Sequence, residues 1–256
     1  VDELPRDTKE MPAGLSLERP ATNLASLVTT QSLDALRETV LSQWQHQEQF
    51  ARLAKHGIRP IDRMLFYGPP GNGKTMASQW IAAKLNVPLY RVRCENLIAK
   101  YVGQSASNVS AVMQWLETRP ACVVLLDEVE QMLISRTDAG SSTVGRELSS
   151  AMGVFWQYLD RWQSPTLFIL ATNLPDRLDS ALLSRIDLKM EFGPPTEEQA
   201  ATVVQYWQEV LHEFGGEVWG PRLLDRSQSP ESFRALFHEI QDCVRQHVTA
   251  AGHISD

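Results

Sequence analysis

The sequence predicts an α/β protein: a three-layer sandwich around a central parallel sheet, with a small helical domain at the C-terminal end. Three observations carry this expectation. Between residues 64 and 192 short apolar runs of strand length alternate with stretches of helical periodicity, the pattern of a parallel sheet covered on both faces. The first run, residues 64–67, leads directly into Gly68-Pro69-Pro70-Gly71-Asn72-Gly73-Lys74-Thr75. That is a complete G-x-x-x-x-G-K-T loop with a strand before it and a helix after it. A later run, Cys122-Val123-Val124-Leu125-Leu126, ends in Asp127-Glu128, at the end of a parallel strand where ligands are delivered.

Taken in order, residues 1–22 hold prolines and charges with few large apolar side chains, and read as a flexible linker or tail. Residues 31–54 carry helical periodicity through Leu33, Leu36, Val40, Trp44, Phe50 and Leu53. Strands are expected at 64–67, 89–94, 122–126, 167–172 and 189–192. Helices are expected at 74–85, with Ala77, Trp80, Ile81 and Leu85 on the buried side, and at 106–117 and 148–159. After Gly193-Pro194-Pro195 the pattern changes to two helices, 197–214 and 230–250, with no strong strand between them. Residues 23–193 therefore read as a large α/β domain and 194–256 as a small helical one. The chain opens at Val1, which reads as an expressed fragment or a processed product.

Composition narrows the class. The chain has 256 residues, 43% of them hydrophobic and 21% charged, with a net charge of −7. The acidic balance argues against an extended nucleic-acid surface. No apolar run reaches membrane-spanning length and no secretory signal pattern is visible, which places the expected setting in the cytoplasm. Cys94, Cys122 and Cys243 lie far apart in sequence and read as small buried hydrophobes in a reducing compartment. Cys243 and His247 share a helix face, but two ligands do not make a zinc site.

The chemistry is concentrated in the two motifs. Glycines at 68, 71 and 73 let the backbone turn tightly and approach an anion. The loop's N–H groups and the positive end of the following helix suit a polyphosphate. Lys74 is placed to reach the β- and γ-phosphates, and Thr75 to offer its hydroxyl to Mg²⁺. Asp127 is the expected partner of that Mg²⁺, directly or through water. Glu128 is placed to orient and deprotonate an attacking water. An ordinary Gly/Pro turn before a lysine, or a core strand ending in a solvated acidic pair, is the bland alternative for each motif taken alone. Their joint occurrence disfavours both.

With these residues in view the chain resembles the AAA+ ATPases, within the P-loop NTPases, and in particular the clade holding katanin, spastin, the proteasomal ATPases and FtsH. The resemblance covers roughly residues 24–250. It is carried by FYGPPGNGKT at 66–75, AKYVG at 99–103, VVLLDE at 123–128, ATNLP at 171–175 and LDSALLSRIDLKMEF at 178–192. It implies ATP and Mg²⁺ as ligands, held by residues 68–76 through Met76, and a C-terminal helical lid. It implies that Asn173 is the sensor-1 residue, holding the attacking water or reading the γ-phosphate. It implies that Arg185 is a finger inserted into the neighbouring subunit's site, an effect on the order of 10³–10⁵ in rate where such fingers act in GTPases. Many members carry a second arginine three residues later, where this chain has Leu188 and then Lys189. Arg234 lies near the sensor-2 position of some clades, and its register leaves it unassigned. By analogy, adenine belongs near residues 27–29 and the lid.

Lys100, Tyr101, Val102 and Gly103 match a pore loop whose aromatic residue contacts an extended polypeptide, a contact indifferent to client sequence. Residues 136–146, rich in Gly, Ser, Thr and Asp, match a second pore loop and read equally as a disordered surface loop, and Arg136 matches a contact to a neighbouring subunit. The resemblance thus implies an ATP-dependent homo-hexamer that unfolds or threads a polypeptide client, with room for a separate protease partner. A DNA-associated helicase or clamp loader, and an adaptor switched by ATP binding, stay open as alternatives.

Overall fold

The structure is a computed structural model, and it describes residues 11–18, 36, 40–97, 104–132, 143–178, 180–213 and 230–251. Strand β1 (Leu15–Glu18) is followed by two short helices, α1 (Ser42–Gln45) and α2 (Gln47–Leu53). Then come β2 (Arg63–Tyr67), α3 (Lys74–Leu85), β3 (Leu89–Arg93), α4 (Cys94–Leu97), α5 (Ser105–Glu117) and β4 (Cys122–Asp127). A 3₁₀ turn (Val129–Met132) separates β4 from α6 (Thr143–Arg161). The chain continues through β5 (Thr166–Thr172), a 3₁₀ turn (Pro175–Arg177), α7 (Ser180–Leu183), β6 (Leu188–Glu191), α8 (Glu197–Glu213) and α9 (Phe233–Ala251).

The strands form one six-stranded sheet in the order β1-β3-β4-β5-β2-β6. Every pairing from β3 to β6 is parallel, with Val92 beside Leu126, Leu126 beside Leu170, and Phe66 beside both Ala171 and Met190. β1 alone runs antiparallel, pairing Leu15 with Val92 and Glu18 with Leu89 along the β3 edge. Two expectations change here. The sheet is mixed, because an added edge strand needs no crossover and can run either way. Part of the segment read as a flexible tail is a sheet strand: in Leu-Ser-Leu-Glu, Leu15 and Leu17 pack on the core and Ser16 and Glu18 alternate away from it.

The two faces of the sheet bury separate cores. On one face Tyr90, Val92, Val124, Leu126, Phe168 and Leu170 pack under α5 and α6, through Val109, Val112, Leu116, Phe155 and Leu159. On the other, Leu89, Val123, Leu125, Ile169 and Phe66 pack under α3, through Ala77, Ile81 and Ala82, joined by Leu36 and Val40. Both faces being covered, β4 and β5 are apolar at nearly every position, and β5 is buried along its whole length. The three-layer expectation thus holds. The strand edges move by a residue or two, and α6 starts at Thr143 rather than at 148, inside the segment read as a second pore loop.

Helices α8 and α9 follow as expected after Pro194-Pro195 and share a small core of Ala200, Val203, Val204, Leu236 and Ile240. α9 starts at Phe233, three residues after Pro230, where Ser232 Oγ accepts a hydrogen bond from Ala235 N and caps the first turn. Among the described residues no helix is long and apolar enough to cross a membrane. Cys94 and Cys122 are buried and free, as expected of filler. Burial pushes the Cys94 thiol up, and it pushes the Cys122 thiol to about 11.

Candidate active site

The G-x-x-x-x-G-K-T loop joins β2 to α3 at the C-terminal edge of the parallel strands. Its glycines have different jobs. Gly68 sits at φ +131°, and a Cβ there would collide with the carbonyl oxygen of Phe192, so the loop's first residue is packed against the end of β6. Gly73 sits at φ +93° with nothing within 4 Å of an added Cβ, so its side is open. Gly73 is also the N-cap of α3 and makes no side-chain cap bond, which leaves the helix's first amides uncapped by any side chain.

Lys74 is buried, and its ammonium donates to the carbonyl oxygens of Gly68 (2.6 Å) and Pro69 (2.9 Å). Burial lowers its proton affinity, while Asp127 and Glu130 pull the other way. Asp127 ends β4. Because Val123 and Leu125 face the α3 side, alternation carries Asp127 to the loop side as well. There its carboxylate is ion-paired to Arg91 of β3. Glu128 adopts φ +56°, a left-handed conformation uncommon for a residue with a side chain. That twist turns the chain out of the strand into the 3₁₀ turn. Gln131 Nε2 donates to Glu128 Oε2, and Gln131 N donates to Glu128 O at 3.0 Å. Asn173 follows β5, its backbone N donating to Glu130 Oε1 at 3.1 Å.

These elements enclose a cleft of about 440 Å³. Of the expected site residues, Pro70, Gly71, Gly73, Lys74, Thr75 and Met76 line it from the loop side. Asp127, Glu128 and Asn173 line it from the strand ends. Gly68, Pro69 and Asn72 support the loop instead: Asn72 is 2% exposed, and its Oδ1 accepts a hydrogen bond from Phe233 N at 3.3 Å. Arg185 is not a lining residue. Its Nε and Nη2 donate to the carboxylate of Asp160 at 3.2 and 3.4 Å, and its guanidinium lies over the Trp156 ring. Leu188, at the place of a second arginine, starts β6 opposite Met64 and packs against the α3-side core, leaving Lys189 exposed. Lys100, Tyr101, Val102, Gly103, Arg136 and residues 27–29 lie outside the described residues.

Sequence reasoning did not name Arg91 or Glu130, and it left Arg234 of α9 unassigned. Arg91 lines the cleft, as do Phe233, Arg234 and Phe237 of α9. Glu130 holds Asn173 with one oxygen, and its Oε2 is buried with no hydrogen-bond partner among the described residues. The signal for Arg91 is a charge at position three of the otherwise apolar Leu-Tyr-Arg-Val stretch. The other two depend on chain segments far apart in sequence.

The cleft's chemistry fits a polyphosphate with Mg²⁺. Open-sided glycine backbone, uncapped helix amides and a buried lysine suit the anion. Thr75 and Asp127 offer hard oxygen donors in the same cleft. Among the described residues no group of three or more His, Cys, Asp or Glu could hold a metal alone.

Comparison with known proteins settles the family. The family model for the ATPase family associated with various cellular activities (AAA) matches residues 64–194, half of the chain, from β2 through the end of the sheet. This chain is an AAA family ATPase. It is 35% identical over 177 residues to 26S proteasome regulatory subunit 7 of Dictyostelium discoideum, covering 68% of this chain and 40% of that protein. It is 31% identical over 209 residues to probable 26S proteasome regulatory subunit 10B of Caenorhabditis elegans, covering 79% and 50%. An uncharacterised AAA family ATPase of Sinorhizobium fredii is 34% identical over 143 residues, covering 56% and 42%. The chain therefore spans half or less of the length of these curated relatives. The AAA domain of FIGL-1, solved in complex with ADP, superposes with a TM-score of 0.67 at 21% identity, covering 92% of this chain and 75% of that one, and supports the fold.

Proposed function

We propose that this AAA ATPase is the motor module of a ring, most simply a hexamer, that binds and hydrolyses ATP at the 68–75 loop and remodels, unfolds or threads a polypeptide client. The observation that carries this reading is the convergence of Lys74, Thr75, Asp127, Glu128 and Asn173 on one cleft, while Arg185 lies outside it. A finger that does not serve its own cleft is available to a neighbour's. The likeness to proteasome regulatory subunits supports a polypeptide as the client and leaves room for a separate protease.

In this reading the α3 amides and Lys74 hold the β- and γ-phosphates, with Lys74 releasing the Gly68 and Pro69 carbonyls it now bonds. Thr75 and Asp127 hold magnesium, which when bound offsets the triphosphate charge and orients it. Glu128 accepts the proton of the attacking water, and Gln131 sets its carboxylate orientation. Asn173, fixed through its backbone by Glu130, positions that water. Phe233 and Phe237 of α9 offer apolar surface to the base. Leu188, an apolar strand residue at the place of a second arginine, leaves one finger per site.

The test is direct. Lys74→Ala loses binding of a fluorescent ATP analogue by on the order of 100-fold or more. Glu128→Gln keeps binding within a few-fold and loses turnover by on the order of 100-fold. A Lys74→Ala protein with undiminished affinity, or a Glu128→Gln protein with undiminished turnover, removes the corresponding assignment. The Glu128→Gln protein held in ATP is also the form with which to capture a client.

A further inference from the structure

Arg91 has no part in the mechanism above, yet it stands in the middle of the site. On β3, Tyr90 and Val92 face the α5–α6 core and Leu89 the α3 core, so alternation puts Arg91 on the α3 face. Asp127 of β4 is on that face, and so are Ser16 and Glu18 of β1, since Leu15 and Leu17 pack on the opposite side. Three charges from three adjacent strands therefore share one face, and two of them, Arg91 and Asp127, line the cleft. The Arg91 guanidinium is ion-paired through Nη2 to Asp127, and its Nη1 lies 3.7 Å from Glu18 Oε1. Its Nε is buried with no hydrogen-bond partner among the described residues, so the pairing does not satisfy the whole group. The three side chains are only 26%, 16% and 25% exposed, and the same guanidinium lines the cleft with Lys74 and Thr75. An apolar residue would serve this strand position for packing alone, and a half-buried cation is tolerated only beside its carboxylates.

We propose that Arg91 is a resident cation of the phosphate cleft that competes with divalent metal for Asp127, and that Glu18 on the N-terminal edge strand is the carboxylate it falls back on when metal binds. The inference rests on the reading that this cleft takes a nucleoside polyphosphate with metal. A guanidinium and a divalent cation on one carboxylate repel each other, so occupation by one weakens the other. Glu18 makes the exchange a short one, because Nη1 already points to it. Two opposite effects follow from one residue: Arg91 strengthens polyphosphate binding without metal and weakens metal binding to the nucleotide-loaded cleft. Through Glu18 the docking of β1 on β3 is linked to metal affinity, and the linkage is reciprocal.

The experiment measures equilibrium binding rather than turnover, on the whole chain, with a fluorescent ADP analogue in EDTA and with Mn²⁺ followed by electron paramagnetic resonance at saturating ADP. Arg91→Met is expected to bind the analogue in EDTA about tenfold more weakly and Mn²⁺ about tenfold more tightly, the scale of one charge–charge interaction at this depth. Glu18→Gln, which leaves Arg91 no alternative, is expected to bind Mn²⁺ a few-fold more weakly, and the double variant to behave as Arg91→Met. Unchanged or weaker Mn²⁺ binding in Arg91→Met overturns the proposal. Should that variant not fold, unchanged or tighter Mn²⁺ binding in the edge-strand variant Glu18→Gln overturns it. Wild-type protein that binds no nucleotide, or a Lys74→Ala protein that binds it equally well, instead removes the underlying assignment of the cleft, and this inference with it.

Discussion

Asp62, just before β2, is the residue with the clearest pH signature. Burial pushes its carboxyl up to about 6, the Arg63 guanidinium at 3.3 Å opposes the shift, and Asp187 adds to it. Asp187 Oδ2 accepts hydrogen bonds from the backbone N–H groups of Asp62 and Arg63, so the two carboxylates are held side by side two residues beyond Arg185. A carboxyl with its folded value above its unfolded one stabilises the fold in the protonated state. That contribution is complete below the ordinary value of 3.8 and is lost as pH rises through about 6. Its full size is on the order of 2–3 kcal/mol. Asp62→Asn should therefore gain on wild type as pH rises from 4 to 7, measured as the difference in urea-unfolding free energy. A difference that stays constant across that range counts against the burial argument. At this scale the motif residues were legible in advance. Lys74, Thr75, Asp127 and Glu128 were named from local spacing and Asn173 from the family resemblance, and all five line one cleft. Arg91 and Glu130 were not, because an arginine in a strand has no meaning until the strand order puts Asp127 beside it.

Among the elements, α9 is tied directly to the phosphate loop. Arg234 N donates to Gly71 O at 3.0 Å, and Phe233 N donates to the buried Asn72 side chain. A Cβ on Gly71 would press on the Cβ of Arg234, so loop and helix touch with no room between them. Asn72 thus satisfies one of the amides that a helix start leaves open. Asn72→Ala should cost about 1 kcal/mol, concentrated in α9. Hydrogen exchange of the α9 amides should then quicken about fivefold while β4 and β5 keep their protection. Equal exchange in both proteins would mean that packing against α8, not this bond, holds α9 in place. The long elements were readable because periodicity accumulates over many residues; α3 runs over 74–85 as expected. β1 was not, since four residues show too little alternation to be told from a tail, and only the exposed edge of β3 makes it a strand.

On the scale of the whole molecule, the question is where Arg185 acts. In the single chain its guanidinium is held by Asp160 and stacked over Trp156, at the end of α6, outside the cleft. The Asp160 side chain is 51% exposed, so that ion pair is weak. In the proposed ring each cleft is completed by the next subunit. Arg185→Ala should bind ATP as wild type does and lose turnover by on the order of 10³-fold. Mixed with Lys74→Ala it should recover part of that turnover, since one subunit then supplies an intact cleft and its neighbour an intact arginine. No recovery at any mixing ratio, in a steady-state ATPase assay, would place the arginine's action within its own chain.

By itself the sequence determined that β2 runs through a phosphate loop into α3, that an acidic-ended strand lies in the same sheet, and that two helices follow it. Each of these rests on neighbours along the chain, whose spacing the backbone converts directly into geometry. Only the tertiary structure decided that residues 15–18 close the sheet edge, that Glu18, Arg91 and Asp127 share one face, that Asn72 caps α9, and that Arg185 rests on Asp160. Those contacts join residues far apart in sequence, and the order in which strands assemble into a sheet is not written in the spacing of any one of them.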